Sequence, residues 1–100
     1  MPILRILVLS GAGIATSTII ANKIKRLLKA RGINVNVEVC EAYEVAGMVR
    51  SYRPHAIIST TQLAVKVPVK VFDGLSLLSG VGNGRLADEI AFHLKSVIVS

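Results

Sequence analysis

The chain has 100 residues, 52% of them hydrophobic and only 18% charged, which fits one globular domain over 1–100 and excludes both a disordered segment and a pair of domains. Lys and Arg outnumber Asp and Glu twelve to six, giving a net charge of +6 that favours an acidic or phosphate-bearing partner. Nucleic acid is not expected as that partner, because no aromatic interleaving or binding motif accompanies the charge.

The expected first strand runs over Met1–Leu9, apolar and ended by small residues. Gly11 and Gly13 follow, then the hydroxyl residues Thr16, Ser17 and Thr18, which suit a helix start. From Thr16 to Arg31 the period is helical: Ile20, Ile24, Leu27 and Leu28 form one face, while Lys23, Lys25, Arg26, Lys29 and Arg31 cover the rest as a solvated basic surface. Gly32 ends that helix. Ile33–Cys40 alternates apolar and polar residues, the pattern of a half-exposed strand at a sheet edge.

Glu41–Arg53 reads as a shorter helix that Pro54 forbids from continuing. Ala56–Ser59 is an apolar strand, and Val67–Phe72 reads as a fourth, with Pro68 at its entry. Asp73-Gly74 is expected as a turn, Leu75–Gly82 as a glycine-punctuated connection, and a last helix opens at Asn83 or Gly84. The order β-α-β-α-β-β-α predicts an α/β fold, a three-layer α/β/α arrangement around a four-stranded, mainly parallel sheet of the doubly wound, Rossmann-like kind.

Ligands of such sheets sit beyond the carboxyl ends of the strands. Those ends carry Ser10, Cys40–Glu41, Ser59–Gln62 and Asp73–Gly74, so the loop between the first strand and first helix is the expected site. A small-residue loop leading into a helix N-terminus is an anion site, since first-turn N–H groups lack intrahelical partners and the macrodipole adds positive charge. Phosphate is the expected anion. The loop is nevertheless not a P-loop, because no lysine stands near Gly13. A dinucleotide fingerprint would need glycine at Thr16, and a tyrosine-phosphatase-like loop would need cysteine at Ser10 and arginine at Thr16.

Ser10-Gly11-Ala12-Gly13-Ile14-Ala15-Thr16-Ser17-Thr18 resembles the active loop of the enzyme IIB proteins of the bacterial sugar phosphotransferase system, in particular the galactitol-type branch. Ile57-Ile58-Ser59-Thr60-Thr61 and Leu78-Ser79-Gly80-Val81-Gly82 extend the likeness over almost the whole chain. The resemblance implies a phosphoryl relay. Enzyme IIA carries phosphate on a histidine, a cysteine of IIB takes it, and a sugar or sugar alcohol held by membrane enzyme IIC receives it. By that likeness Ser10 marks the acceptor, Gly11, Ala12, Gly13, Ile14, Ala15, Thr16, Ser17 and Thr18 form the phosphate cradle, and Thr60, Thr61 and Asp73 stand on the rim.

The departure is at the acceptor itself, where Ser10 replaces cysteine. A serine hydroxyl is a poor nucleophile without an adjacent base, and the loop contains no histidine. The chain is therefore expected to be inactive as it stands, through a deliberate Cys→Ser change or as a natural variant that has lost catalysis. A non-catalytic module that binds phosphate or a phosphorylated partner is the alternative. Cys40 reads as a small buried hydrophobe, and His55 and His93 as surface residues. No metal-ligand spacing is present and no cofactor is expected. No apolar run approaches the ~20 residues of a membrane span. With no signal-peptide layout and a lone cysteine, the expected place is the cytoplasm, at the membrane only through IIC.

Overall fold

A computed structural model describes residues 3–99; Met1 and Pro2, which the expected first strand included, and Ser100 lie outside the described residues. The elements are β1 (Leu4–Leu9), α1 (Ile14–Lys29), β2 (Val35–Val39), α2 (Val45–Tyr52), β3 (Ala56–Ser59), β4 (Val71–Asp73), α3 (Leu75–Ser79) and α4 (Asn83–Val99). The four strands lie in the order β2-β1-β3-β4 and every pairing is parallel. The expected α/β fold with layers of helices about a parallel sheet is what the chain adopts.

β1 is central and almost wholly buried, and its alternation feeds two cores. Leu4, Ile6 and Val8 pack with Ile20, Ile24 and Leu28 of α1, Leu77 of α3, and Leu86, Ile90 and Leu94 of α4. On the other face Leu7 and Leu9 meet Cys40, Val45 and Ile57, with Met48, Val49 and Tyr52 of α2 alongside. β2 is the edge strand that its alternating sequence predicts, with alternating burial.

Five expectations need correction. α1 begins at Ile14, two residues before Thr16, and ends at Lys29, with Gly13 as its N-cap. The segment expected as a strand from Val67 pairs only from Val71, and Asp73 belongs to the strand instead of a turn. A parallel neighbour cannot be reached by a hairpin, so the chain after β3 must return to the opposite end of the sheet. Residues 60–70 make that return without a helix, their Leu63, Val67 and Val69 partly buried on the α2 side. Leu75–Ser79, expected as a connection, is helical, with Leu77 fully buried. The expected helix over Glu41–Arg53 is a 3-10 turn, Ala42–Glu44, followed by α2, which ends at Tyr52 and is capped by Arg53 in the left-handed region.

The basic face of α1 is also more engaged than a solvated surface. Lys23 Nζ donates to the Leu77 carbonyl at 2.7 Å, joining α1 to α3. Arg31 spans α1 and α4: Nε meets Asp88 Oδ1 at 2.6 Å while Nη1 and Nη2 donate to the Leu27 and Gly84 carbonyls. Lys25, Arg26 and Lys29 are exposed as expected.

At the pole opposite the loop, the backbone N–H of Arg5 donates to His55 Nδ1 at 3.0 Å, and His93 Nε2 donates to the His55 carbonyl at 2.9 Å. His93 lies edge-on to Phe72. Both histidines are half-buried, so neither is the plain surface residue expected. Accepting at Nδ1 requires the unprotonated ring nitrogen. Burial, then the positive charge of Arg5 and the neighbouring His93, hold the His55 pKa below its usual 6.5. The folded chain therefore binds fewer protons at this site than the unfolded chain. Its contribution to stability is complete above pH 6.5 and declines as pH falls below that value. Urea unfolding from pH 8 down to pH 5 should show a steeper loss of stability for the unchanged chain than for His55→Asn, which keeps an acceptor but does not titrate; equal slopes would count against this account.

Candidate functional site

The site is built where β1 and β3 end. The chain leaves β1 toward β2 on one side and reaches β3 and β4 on the other, so the order of winding reverses between β1 and β3. Crevices at such reversals, beyond the carboxyl ends of the strands, are where open parallel sheets bind ligands. Ser10 follows β1 and Thr60 follows β3, and a hydrogen bond joins them across the crevice: Thr60 Oγ1 donates to Ser10 Oγ at 3.1 Å.

Ser10 is buried, with 4% of its surface exposed. Its Oγ also accepts from the Ala12 N–H at 3.1 Å, and its carbonyl accepts from the Gly13 N–H at 3.3 Å. The Gly11 N–H donates to Thr60 Oγ1 at 3.3 Å. Gly11, Ala12 and Gly13 thus form a tight turn pinned from within and from β3. Gly13 then takes φ 102°, ψ −179°, a backbone that a side chain disfavours, and this starts α1 directly after the turn.

The early start changes what the hydroxyls do. Ser17 Oγ donates to the Gly13 carbonyl at 3.2 Å and Thr18 Oγ1 to the Ile14 carbonyl at 2.9 Å, bonds back into the helix that leave neither as an N-cap. Ser17 is buried, Thr16 is half-buried, and Ile14, Ala15 and Thr18 are exposed. The first intrahelical bond is Ser17 N–H to the Gly13 carbonyl at 3.1 Å. Among the described residues no acceptor meets the amides of Ile14, Ala15 and Thr16, so three donors stand free at the positive end of a 16-residue helix. That set suits a tetrahedral anion held by neutral groups.

The rim residues divide. Thr60 is inside the network. Thr61 lies against the turn, its Cβ about 3.5 Å from where a side chain on Gly11 would begin, and its N–H and carbonyl both bond Ser59 Oγ. Asp73 is exposed and its Oδ1 accepts from the Leu75 N–H at 2.9 Å, an engagement with the start of α3 and not with the loop. Thr60, Thr61 and Asp73 all line one cleft of about 320 Å³ beside the loop.

Cys40 is buried among Leu7, Leu9, Val45 and Ile57. Burial, with Glu44 and Glu41 adding to it, pushes its thiol up to about 11, so it is a packing residue without thiolate character at neutral pH. No histidine approaches Ser10 Oγ, whose bonding partners are Ala12 and Thr60. Among the described residues no group of His, Cys, Asp and Glu side chains is placed to hold a metal. The pairing of Thr60 with Ser10 was not visible in the sequence, since 50 positions separate them.

The model of the family described as "PTS system, Lactose/Cellobiose specific IIB subunit" matches residues 5–81, from β1 through the loop and β4 to just beyond α3. The chain belongs to that IIB family. A IIB domain is the phosphoryl-relay component of a sugar phosphotransferase system, a phosphotransferase part that works with IIA and membrane IIC. The description names lactose and cellobiose and not galactitol. No curated protein matches the chain. Among the described residues no helix of this IIB chain is long and apolar enough to cross a membrane.

Because φ 102° strains any residue with a side chain, Gly13→Ala should lower stability by about 1–3 kcal/mol although nothing lies within 4 Å of the added carbon. Gly11→Ala, whose carbon meets Thr61 at an ordinary 3.5 Å, should cost clearly less. Denaturant titration of the pair checks the ranking, and a Gly11 variant as damaging as the Gly13 variant would refute it.

Proposed function

We propose that this chain has the architecture of the IIB step of a relay for a galactitol-like sugar or sugar alcohol, with position 10 as the phosphoryl acceptor and Gly11–Thr18 as the cradle. The observation that carries the reading is the set of free amides at Ile14, Ala15 and Thr16, placed directly after a residue held at the end of β1. In the cysteine-bearing form, thiolate attacks the phosphorus of a phosphohistidine on IIA. The N–P bond breaks as the S–P bond forms, and the imidazole takes a proton. The S–P bond breaks in turn when a hydroxyl oxygen of the sugar bound by IIC takes the phosphoryl group, the thiolate leaving and the hydroxyl proton passing to water or a base on IIC. The cradle amides meet the charge on the phosphoryl oxygens throughout. This work takes place at the cytoplasmic face of the membrane, where IIC presents the sugar. The Ala-Thr-Ser-Thr run at 15–18 supports the galactitol-type branch within the family.

Ser10 alters the outcome. Its hydroxyl must lose a proton to attack, and its hydrogen-bond partners, an amide and a threonine hydroxyl, are not bases. The chain as it stands is an inactive acceptor. The same observation favours a second reading, in which the intact cradle binds phosphate or phosphorylated IIA without taking the group.

The test incubates the chain and Ser10→Cys with phosphorylated IIA and follows intact-protein mass. The Ser10→Cys form should gain one phosphoryl group, and the serine form should be slower by at least about a hundredfold. Donors of the galactitol and the lactose/cellobiose types run side by side decide the branch by which one charges the variant faster. If Ser10→Cys gains nothing from either donor while a working IIB does, the relay reading fails. Binding of phosphorylated IIA to the unchanged chain would then support the second reading.

A further inference from the structure

The relay needs residue 10 as an anion, and no cation lies in the loop to favour one: between Ser10 and Asn22 there is no Lys, Arg or His. The titratable groups at the same ends of the neighbouring strands are Cys40, Glu41, Tyr43 and Glu44 after β2 and Asp73 in β4, and α3 contributes none. Their carboxylates oppose a negative charge nearby. Neutral donors must therefore supply the stabilisation. Those that reach the side chain of residue 10 are the Ala12 amide and the Thr60 hydroxyl, each at 3.1 Å.

We propose that Thr60 is a positioning residue for the acceptor, its hydroxyl donating the hydrogen bond that, with the Ala12 amide, holds residue 10 as an anion and aims it into the crevice. The direction of that bond follows from proton count. An ionised residue 10 has no proton to give, and the Gly11 N–H already donates to Thr60 Oγ1 at 3.3 Å. The single proton of Thr60 therefore points at residue 10. A bond to a charged acceptor is stronger than a neutral one, so the hydroxyl favours the anion over the protonated form. Because Thr60 N–H is itself bonded to the Leu9 carbonyl at 3.3 Å, the donor is fixed to the strand that carries the acceptor.

As a device for phosphoryl acceptance this inference rests on the relay reading, but its test reads the thiol without any transfer. Ser10→Cys, Ser10→Cys/Thr60→Val and Ser10→Cys/Thr60→Ser are alkylated with iodoacetamide across a pH series, with peptide mass distinguishing position 10 from Cys40. The reactivity midpoint should rise by about one to two pH units with Thr60→Val, and Thr60→Ser, which keeps the hydroxyl, should return it to the Ser10→Cys value. An unmoved midpoint in Thr60→Val overturns the proposal. So does a Thr60→Ser midpoint equal to that of Thr60→Val, which would assign the effect to the lost methyl packing. Phosphate uptake is measured on the same samples. Uptake with coincident midpoints leaves the relay standing and removes Thr60 from it; separated midpoints with no uptake keep the Thr60 bond and remove the relay.

Discussion

A strand paired on both edges and covered on both faces has to send its side chains alternately into two cores, and β1 does so within six residues. Leu4, Ile6 and Val8 commit one face to α1, α3 and α4, while Leu7 and Leu9 commit the other to α2. A slip of one residue would exchange the two sets and put each against the wrong helices. That register also decides where Ser10 emerges, because the turn begins one residue after the last paired position, Leu9 with Ser59. The site is thus an outcome of packing well below it. Position 10 is a fixed point because β1 cannot shift.

What the site offers chemically is donation without charge. Three free amides open α1 after a turn in which the Ala12 amide and the Thr60 hydroxyl both donate to Ser10 Oγ, where the sheet's winding reverses. Such a set can stabilise a negative charge that arrives already formed, as on a phosphoryl group or a thiolate. It has no means of removing a proton. A cysteine at position 10 fits this environment, since its proton leaves readily near neutral pH once the anion is stabilised, whereas a serine does not. The contrast between the two residues lies in the acidity of one atom.

The central strand, the glycine turn, the edge strand and the parallel doubly wound order were all legible, because each depends on local periodicity or on the rule that alternating strands and helices wind in parallel. The loop was legible as a tight glycine turn running into a helix start for the same reason. The errors share a different cause. Thr16, Ser17 and Thr18 satisfy the local preferences of a helix start, but the turn pinned by Thr60 lets α1 begin at Ile14, which leaves the hydroxyls of Ser17 and Thr18 to bond backward. Val67 and Val69 have strand-forming side chains, yet the return path to a parallel neighbour occupies them. Lys23, Arg31 and His93 find partners 38 to 57 positions away, contacts that one-dimensional spacing does not display.

The family match ends at Val81, whereas α4 runs from Asn83 to Val99. That helix contributes Leu86, Ile90 and Leu94 to the larger core, burial on the order of 5–9 kcal/mol before entropy is counted, against a typical total stability of about 5–15 kcal/mol. The segment that the family model spans and the segment that builds the larger core are therefore different lengths of chain. The inner stripe of the last helix and the Arg31 clasp bind it to the part that the family defines.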